Sequence, residues 1–265
     1  MRGLSQVAVS PHELQSLLDK SEIKIIDGRE RKEYDGGHIP GAISVTIQET
    51  IKAENPDRLV QLFASRGISR DDTVVVYDDT FGAYAARIAW NLAYLGYGKV
   101  RILDATFSMY RDLGYNTATD DSPTLPQDAK LEVKEEVLAT VDYVESFVSE
   151  HKGHLLDVRE RLNYLESHIP GASSVPWRTF SNNVKVFRDP ERVEQILKGR
   201  GISKEDEIVT YCGGAGTLSS LAFYGLILAG YANVRLYAKS FIEWKSLGRP
   251  VDGVKDANYW DLSAD

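Results

Sequence analysis

One set of motifs occurs twice in this chain, in the same order. Asp-x-Arg-Glu-Arg stands at 27–31 and again at 157–161, and His-Ile-Pro-Gly-Ala stands at 38–42 and again at 168–172. Arg-Gly-Ile-Ser follows at 66–69 and at 200–203. Two copies of so long a unit are typical of a duplicated domain rather than of a solenoid of short repeats. The sequence therefore predicts two domains with the same fold.

The spacing of the motifs differs between the two copies. The His motif recurs 130 positions later (38 to 168), whereas the Arg-Gly motif recurs 134 positions later (66 to 200). The second copy therefore carries four extra residues, near Asn182–Arg188. Asn116–Lys130 is rich in Asp, Thr, Ser and Pro and predicts an extended surface linker. We predict an N-terminal domain at 1–115, a linker at 116–133 and a C-terminal domain at 134–265.

Strand and helix patterns alternate within each copy. Short β-branched runs predict buried strands, and apolar residues at helical spacing predict the helices between them. In the first copy we expect strands at Ile23–Ile26, Thr73–Tyr77 and Val100–Leu103, and helices capped by Ser10 or covering Asp57–Ser65, Tyr84–Leu95 and Phe107–Leu113. This alternation predicts an α/β fold, with a parallel sheet covered by helices in each domain.

The single cysteine of the chain lies between a strand pattern and a helix pattern. Cys212 follows the β-branched run Ile208–Tyr211, and Gly213, Gly214 and Gly216 come directly after it. Glycine permits the left-handed backbone that lets a loop curl tightly. The amides of such a loop, with those of a helix N-terminus, can converge on one anion and favour a thiolate. The pattern suggests a nucleophilic cysteine with an amide-bound anionic adduct.

Two other interpretations of this loop must be weighed. A lone cysteine at a strand end is often a small core residue, and a glycine-rich turn before a helix can bind phosphate, although G-x-x-x-x-G-K-[ST] is absent. The repeat argues against the core role, because the first-copy position 134 residues before Cys212 is Asp78. We expect the scaffold to present this position in a loop. Only the second copy then carries a nucleophile at this position, and Asp78 and Asp79 would repel an anion.

The composition excludes several classes of function. The net charge of −8 makes nucleic acid and anionic membranes poor partners. A single cysteine allows no internal disulfide and suits a reducing compartment. The five histidines form no metal-ligand pattern with cysteine, so we expect no metal and no other cofactor. No signal peptide or long apolar run is evident, which favours a cytoplasmic protein.

Together, the Asp-x-Arg, His-Ile-Pro-Gly-Ala and strand–Cys–glycine loop–helix motifs resemble those of the rhodanese family. The tandem arrangement, with cysteine only in the second copy, resembles two-domain thiosulfate and 3-mercaptopyruvate sulfurtransferases. The resemblance extends from about Val9 to Val251. It implies two rhodanese-like α/β domains, an active site between the domains and a cysteine persulfide intermediate.

Site residues follow from the resemblance position by position. Cys212 matches the family's nucleophile. The loop that holds the persulfide corresponds to Gly213, Gly214, Ala215, Gly216 and Thr217. Ala215-Gly216 departs from the family's Gly-Val, and Gly214 stands where 3-mercaptopyruvate enzymes often carry serine.

Substrate-binding positions depart further from the family pattern. Asn163 stands where many of these enzymes carry an arginine, so we expect Arg161 and Arg178 to supply positive charge instead. The paired residues His38 and His168, like Arg29 and Arg159, occur in both copies, including the one without cysteine. We therefore expect them to have structural roles.

The resemblance implies a double displacement, in which Cys212 takes the outer sulfur of thiosulfate and passes it to cyanide or an external thiol. 3-Mercaptopyruvate is the alternative donor. A non-catalytic sulfur-carrier or partner-binding protein is a further alternative. A cysteine phosphatase or arsenate reductase would need Cys-x5-Arg, and position 218 is leucine here.

Overall fold

The computed structural model describes residues 7–20, 23–53 and 55–254, which form two compact units. The first unit contains the described residues up to Glu135 together with Asn182–Phe187. The second unit contains Glu136–Ser181 and the described residues from Arg188 onwards. The domain boundaries at 115 and 133 stay a prediction. No helix in these three ranges has the length and apolar character needed to cross a bilayer.

The first unit is built on a five-stranded parallel sheet with the strand order β1-β5-β4-β2-β3. Its elements in chain order are β1 (Ala8–Val9), α1 (Pro11–Asp19), β2 (Ile23–Asp27), α2 (Arg31–Asp35), β3 (Ala42–Ser44), α3 (Ile47–Ala53), α4 (Pro56–Ser65), β4 (Thr73–Tyr77), α5 (Ala83–Tyr94), β5 (Val100–Leu103) and α6 (Phe107–Asp112).

The second unit repeats this arrangement with a four-stranded parallel sheet in the order β7-β6-β8-β9. Its elements are α7 (Val141–Ser149), β6 (His154–Asp157), α8 (Arg161–Glu166), β7 (Ser173–Ser174), α9 (Pro190–Lys198), β8 (Ile208–Tyr211), α10 (Thr217–Leu228), β9 (Val234–Leu236) and α11 (Ser240–Ser246), with short 3₁₀ helices at Glu135–Val137 and Trp177–Thr179. A single parallel bridge from Leu138 to Leu236 replaces the pairing of β1 with β5.

The predicted α/β fold with a parallel sheet in each half is confirmed. β4 and β5 have the predicted bounds, and α5 begins and ends one residue earlier than predicted. The Ser10 hydroxyl caps α1 by accepting a hydrogen bond from the Glu13 amide at 3.2 Å. Local propensity and packing therefore favour the same elements.

Each central strand is buried on both of its faces. In β4, Val74 and Val76 point to one face and Val75 and Tyr77 to the other, and all four are fully buried. This is the pattern of a parallel strand covered by helices on both sides, and it explains why the strand is almost continuously apolar. Hydrophobic burial thus fixes the sheet whose carboxyl edge carries the loops described below.

The residues inserted in the second copy belong to the first unit. Val186 is almost fully buried there, and a Cβ on Gly82 would lie only 2.2 Å from its Cγ1. The Phe187 amide donates a hydrogen bond to the Asp104 carboxylate at 2.8 Å. The packing of this segment against Gly82 therefore requires a residue without a side chain.

An ion pair between an arginine and a fully buried aspartate lies at the carboxyl edge of each sheet. In the second unit, Asp157 accepts three hydrogen bonds from the Arg159 side chain (2.9, 3.1 and 2.5 Å) and one from the Tyr211 hydroxyl (2.7 Å). The same hydroxyl accepts a hydrogen bond from the Ile169 amide at 3.2 Å. Burial and the Asp157 charge raise the pKa of Tyr211 well above its ordinary value. The hydroxyl therefore stays protonated and able to donate.

We expect Tyr211→Phe to lower the free energy of unfolding by about 1.5–3 kcal/mol, because a bond to a buried carboxylate is lost. Tyr164→Phe is the matched control, since the Tyr164 hydroxyl donates only to the neutral carbonyl of Ala172. That variant should lose about 1 kcal/mol. Urea unfolding measures both values, and equal losses would contradict a special role for the charged contact.

Candidate active site

Cys212 lies directly after β8, at the carboxyl edge of the second sheet, and is almost fully buried. Its amide donates a hydrogen bond to the Ser240 hydroxyl oxygen at 3.1 Å, and its carbonyl accepts one from the Phe241 amide at 3.1 Å. The start of α11 therefore holds the cysteine backbone. We call Cys212–Gly216 the second loop, and the matching Asp78–Gly82 the first loop.

The second loop curls through two left-handed residues, of which only one is a glycine. Gly216, the residue before α10, has φ 70°, and Ala215 has φ 47°. The prediction that the loop curls through left-handed glycines is correct for Gly216. A Cβ at this position would also meet the Ala238 carbonyl oxygen at 2.8 Å. It is wrong for Gly213 and Gly214, whose backbone is not left-handed.

The thiol has two polar neighbours. Its Sγ donates to the Gly214 carbonyl oxygen at 3.1 Å and lies 3.7 Å from the Ser240 hydroxyl oxygen. The Gly216 amide also donates to the Gly214 carbonyl. The Gly214 carbonyl therefore contacts both the sulfur and the amide that precedes α10.

Several amides close to the second loop have no hydrogen-bond acceptor within the described part of the chain. They are those of Gly214, Leu218 and Ser219. The positions 134 residues earlier are Thr80, Tyr84 and Ala85, and in the first unit all three of those amides donate to the Asp78 carboxylate. The same set of amides therefore binds a carboxylate of the chain in one unit and has no acceptor from the described part of the chain in the other.

Ser240 is a site residue that the sequence analysis missed. It is fully buried, has φ 58°, and donates from its hydroxyl to the Tyr237 carbonyl at 2.9 Å. A non-glycine residue in the left-handed region is strained and is often found at functional sites. Its first-unit counterpart, Thr106, has φ −74° and caps α6 instead. The hydroxyl shared by positions 106 and 240 was the available signal.

The expected structural roles of the repeated His and Arg residues are confirmed. His38 and His168 each bond through Nδ1 to the carbonyl four residues earlier, at 2.9 and 2.7 Å, and each stacks on a tyrosine ring. Arg29 pairs with buried Asp27 as Arg159 pairs with Asp157. The two copies share these contacts whether or not cysteine is present.

The two predicted substrate-binding arginines lie on the 3₁₀ helix Trp177–Thr179 and at the start of α8. Arg178 is exposed, pairs with Glu160 at 3.1 Å and lies over the Trp177 ring at 4.5 Å. Arg161 and Asn163 lie on α8. No hydrogen bond from Arg178 to the second loop occurs in the described ranges, so its role in binding stays a prediction. Those ranges also contain no cluster of three potential metal ligands.

A family model of the rhodanese-like domain matches this chain twice, over residues 10–112 and 140–247. A Haloferax volcanii protein, provisionally named a thiosulfate sulfurtransferase, is 31% identical over 245 residues, covering 83% of this chain and 84% of its own. The sulfur carrier protein TtuD of Thermus thermophilus is 28% identical, covering 93% and 96%.

Solved structures show the same fold. SseA from Escherichia coli, described as a 3-mercaptopyruvate sulfotransferase with the rhodanese fold, aligns with a TM-score of 0.79 and 25% identity over 88% of this chain and 97% of that one. The wild-type structure of EanB aligns with a TM-score of 0.86 and 22% identity, over 95% of this chain and 70% of that one.

The geometry of the second loop predicts different costs at two of its glycines. Gly216→Ala should lower the free energy of unfolding by more than about 1 kcal/mol, because φ is positive and the new Cβ meets the Ala238 carbonyl. Gly213→Ala should be nearly neutral, since the nearest atom to its Cβ is Arg159 Cδ at 3.8 Å. Thermal unfolding compares them, and equal stability of the two variants would contradict the described backbone.

Proposed function

Because the chain belongs to the rhodanese-like family of sulfurtransferases, we propose that it moves the outer sulfur of thiosulfate to cyanide or a thiol acceptor through a persulfide on Cys212. Gly213, Gly214, Ala215, Gly216 and Thr217 form the persulfide-binding loop in this proposal.

One observation carries the proposal. The amides of Gly214, Leu218 and Ser219 have no acceptor in the described structure, and their first-unit counterparts bind a carboxylate. A persulfide on Cys212 would place one more atom, with a negative charge, beyond Sγ. Preorganised amides stabilise such an anion without any proton transfer.

The chemistry balances without an oxidant or a cofactor. The Cys212 thiol first loses its proton to solvent. The thiolate then attacks the outer sulfur of thiosulfate, a new S–S bond forms as the old S–S bond breaks, and sulfite leaves with its electron pair. Cyanide then attacks the terminal sulfur, thiocyanate leaves and the thiolate is restored. Since this sequence has one cysteine, the persulfide cannot be resolved as an internal disulfide. The acceptor must come from outside.

The Gly214 carbonyl must move during this cycle. It accepts a hydrogen bond from the Cys212 thiol, and loss of the thiol proton turns this contact into a repulsion. Gly214 has no side chain to obstruct rotation of its peptide group. A glycine is therefore useful at this position even though its backbone is not left-handed. We propose that the peptide rotates when the persulfide forms and that the amides around it then face the sulfur.

3-Mercaptopyruvate is the second candidate donor. Its carboxylate calls for a cationic group, which bidentate arginine supplies best. Asn163 occupies the corresponding position here, and Arg178 is already paired with Glu160. Thiosulfate needs fewer groups from the protein, because its leaving group, sulfite, departs without being protonated. In favour of 3-mercaptopyruvate are the similarity to SseA and the absence of a basic residue from the second loop.

We expect intact-mass measurement after incubation with thiosulfate to show a gain of about 32 Da, one sulfur atom bound to the cysteine. Cys212→Ser should show no gain and form no thiocyanate, because the only thiol is gone. Thermal unfolding of this variant controls for its fold. Thiocyanate formation above the buffer rate in Cys212→Ser would contradict the assignment.

A steady-state cyanide assay separates the enzyme from a non-catalytic sulfur carrier; the Thermus relative is named a sulfur carrier protein. An enzyme turns over many times, whereas a carrier releases one sulfur per chain.

We expect kcat/KM to be higher for thiosulfate than for 3-mercaptopyruvate when both are assayed with the same acceptor. Asn163→Arg should raise kcat/KM for 3-mercaptopyruvate selectively, by about tenfold, because a charged contact to its carboxylate is gained. Asn163→Gln is the control, since it lengthens the side chain without adding charge. A preference of the unmodified protein for 3-mercaptopyruvate would reverse the choice of donor and leave the persulfide mechanism in place.

A further inference from the structure

The carboxylate of Asp78 is enclosed by hydrogen-bond donors from the first loop and the start of α5. Its Oδ1 accepts from the amides of Thr80 (3.1 Å) and Gly82 (2.8 Å). Its Oδ2 accepts from the amides of Tyr84 (2.7 Å) and Ala85 (3.0 Å) and from the Thr80 hydroxyl (2.7 Å). Five donors therefore bind one side chain.

This arrangement fits an ionised carboxylate better than a carboxylic acid. Oδ1 faces only amide donors, so an acid proton on it would point at another proton, and an acid proton on Oδ2 would have the Thr80 hydroxyl as its one acceptor among these five donors. Burial raises the pKa of the Asp78 carboxyl above its ordinary value, and the hydrogen bonds from Ala85, Thr80 and Gly82 oppose that rise. The Asp78 side chain is only 1% exposed, so water cannot replace these donors.

We propose that the first loop and the N-terminus of α5 form a second anion-binding site, which takes a small monovalent carboxylate and which the chain keeps permanently occupied with Asp78. The expectation that Asp78 would simply repel anions is thereby refined, because it is itself the bound anion. An aspartate carboxylate and a cysteine persulfide both extend beyond Cβ and end in a negative charge, so one amide geometry can serve either.

The site is also covered from outside. Val186 packs directly on Gly82, which has φ 83° and no side chain. Gly82 thus provides one of the amides that bind Asp78 and also the surface on which Val186 rests. An external anion would have to displace both an internal carboxylate and an apolar cover, so the first loop is closed to donor anions such as thiosulfate.

The inference is independent of the activity of Cys212, and its test measures stability alone. Asp78→Ala removes the internal anion and leaves a space of the size of formate, so its Tm should fall by about 5 °C or more. Adding sodium formate at pH 7 should then raise the Tm of this variant saturably, because a ligand that binds only the folded state stabilises it. Formamide, which has the same shape without the charge, should not.

The matched control is Asp79→Ala, which removes a neighbouring carboxylate that is held only by the amide and hydroxyl of Ser108, at 3.0 and 2.6 Å. Formate should not raise its Tm, nor that of the unmodified protein. If Asp78→Ala does not fold alone, its refolding yield with formate against formamide replaces the Tm, and Asp78→Asn provides a second variant that keeps the shape.

A formate-specific recovery of Asp78→Ala supports the internal anion. An unchanged Tm in Asp78→Ala, an equal effect of formamide, or an equal effect of formate on Asp79→Ala would each overturn it. If only Asp78→Asn can be studied, a Tm equal to that of the unmodified protein would overturn it as well, because an amide cannot accept all five bonds.

Discussion

The buried cluster of Asp157, Arg159 and Tyr211 holds together the part of the second unit on which the chemistry depends. It joins the end of β6 to the end of β8, and the Tyr211 hydroxyl continues the chain of bonds to the Ile169 amide. Arg159 also donates to the Ser167 carbonyl and lies over the Phe241 ring. A buried ion pair is costly to desolvate, so it is retained only where its geometry is well satisfied. Here that geometry fixes the residue directly before Cys212.

The same cluster in the first unit, formed by Asp27, Arg29 and Tyr77, supports a different outcome. There the residue after the tyrosine is Asp78, and the amides at the start of the following helix are saturated by its carboxylate. The duplicated scaffold therefore carries the same backbone amides in both units but uses them differently. In the first unit they bind a carboxylate of the same chain, and in the second no group in the described part of the chain accepts from three of them. Amide donors of this kind are what a site for a transient anion requires.

The repeat in the sequence was sufficient to predict the duplication, the parallel sheets and the position of the candidate nucleophile, because these depend on local periodicity and on motif spacing. The backbone conformation around the cysteine could not be predicted from the repeat. Ala215 and Ser240 have left-handed backbone, which neither residue type favours. The contact of the thiol with the Gly214 carbonyl could not be predicted either, since peptide orientation within a loop is not encoded by residue type. The repeated hydroxyl at positions 106 and 240 was visible, but its two uses differ.

The assignment of Asn182–Phe187 to the first unit has a consequence for how this chain can be divided. The polypeptide leaves the first unit after Glu135, returns for six residues and leaves again. Neither unit is therefore a single continuous stretch of sequence, although the motif repeat suggests two such stretches. A protease cut in the linker would not yield two complete halves: the carboxyl-terminal product would keep Val186 without the glycine it packs on, and the amino-terminal product would lose the cover of its first loop. The inserted segment thus makes both units discontinuous in sequence. Neither half of the chain is therefore complete when it is separated from the other.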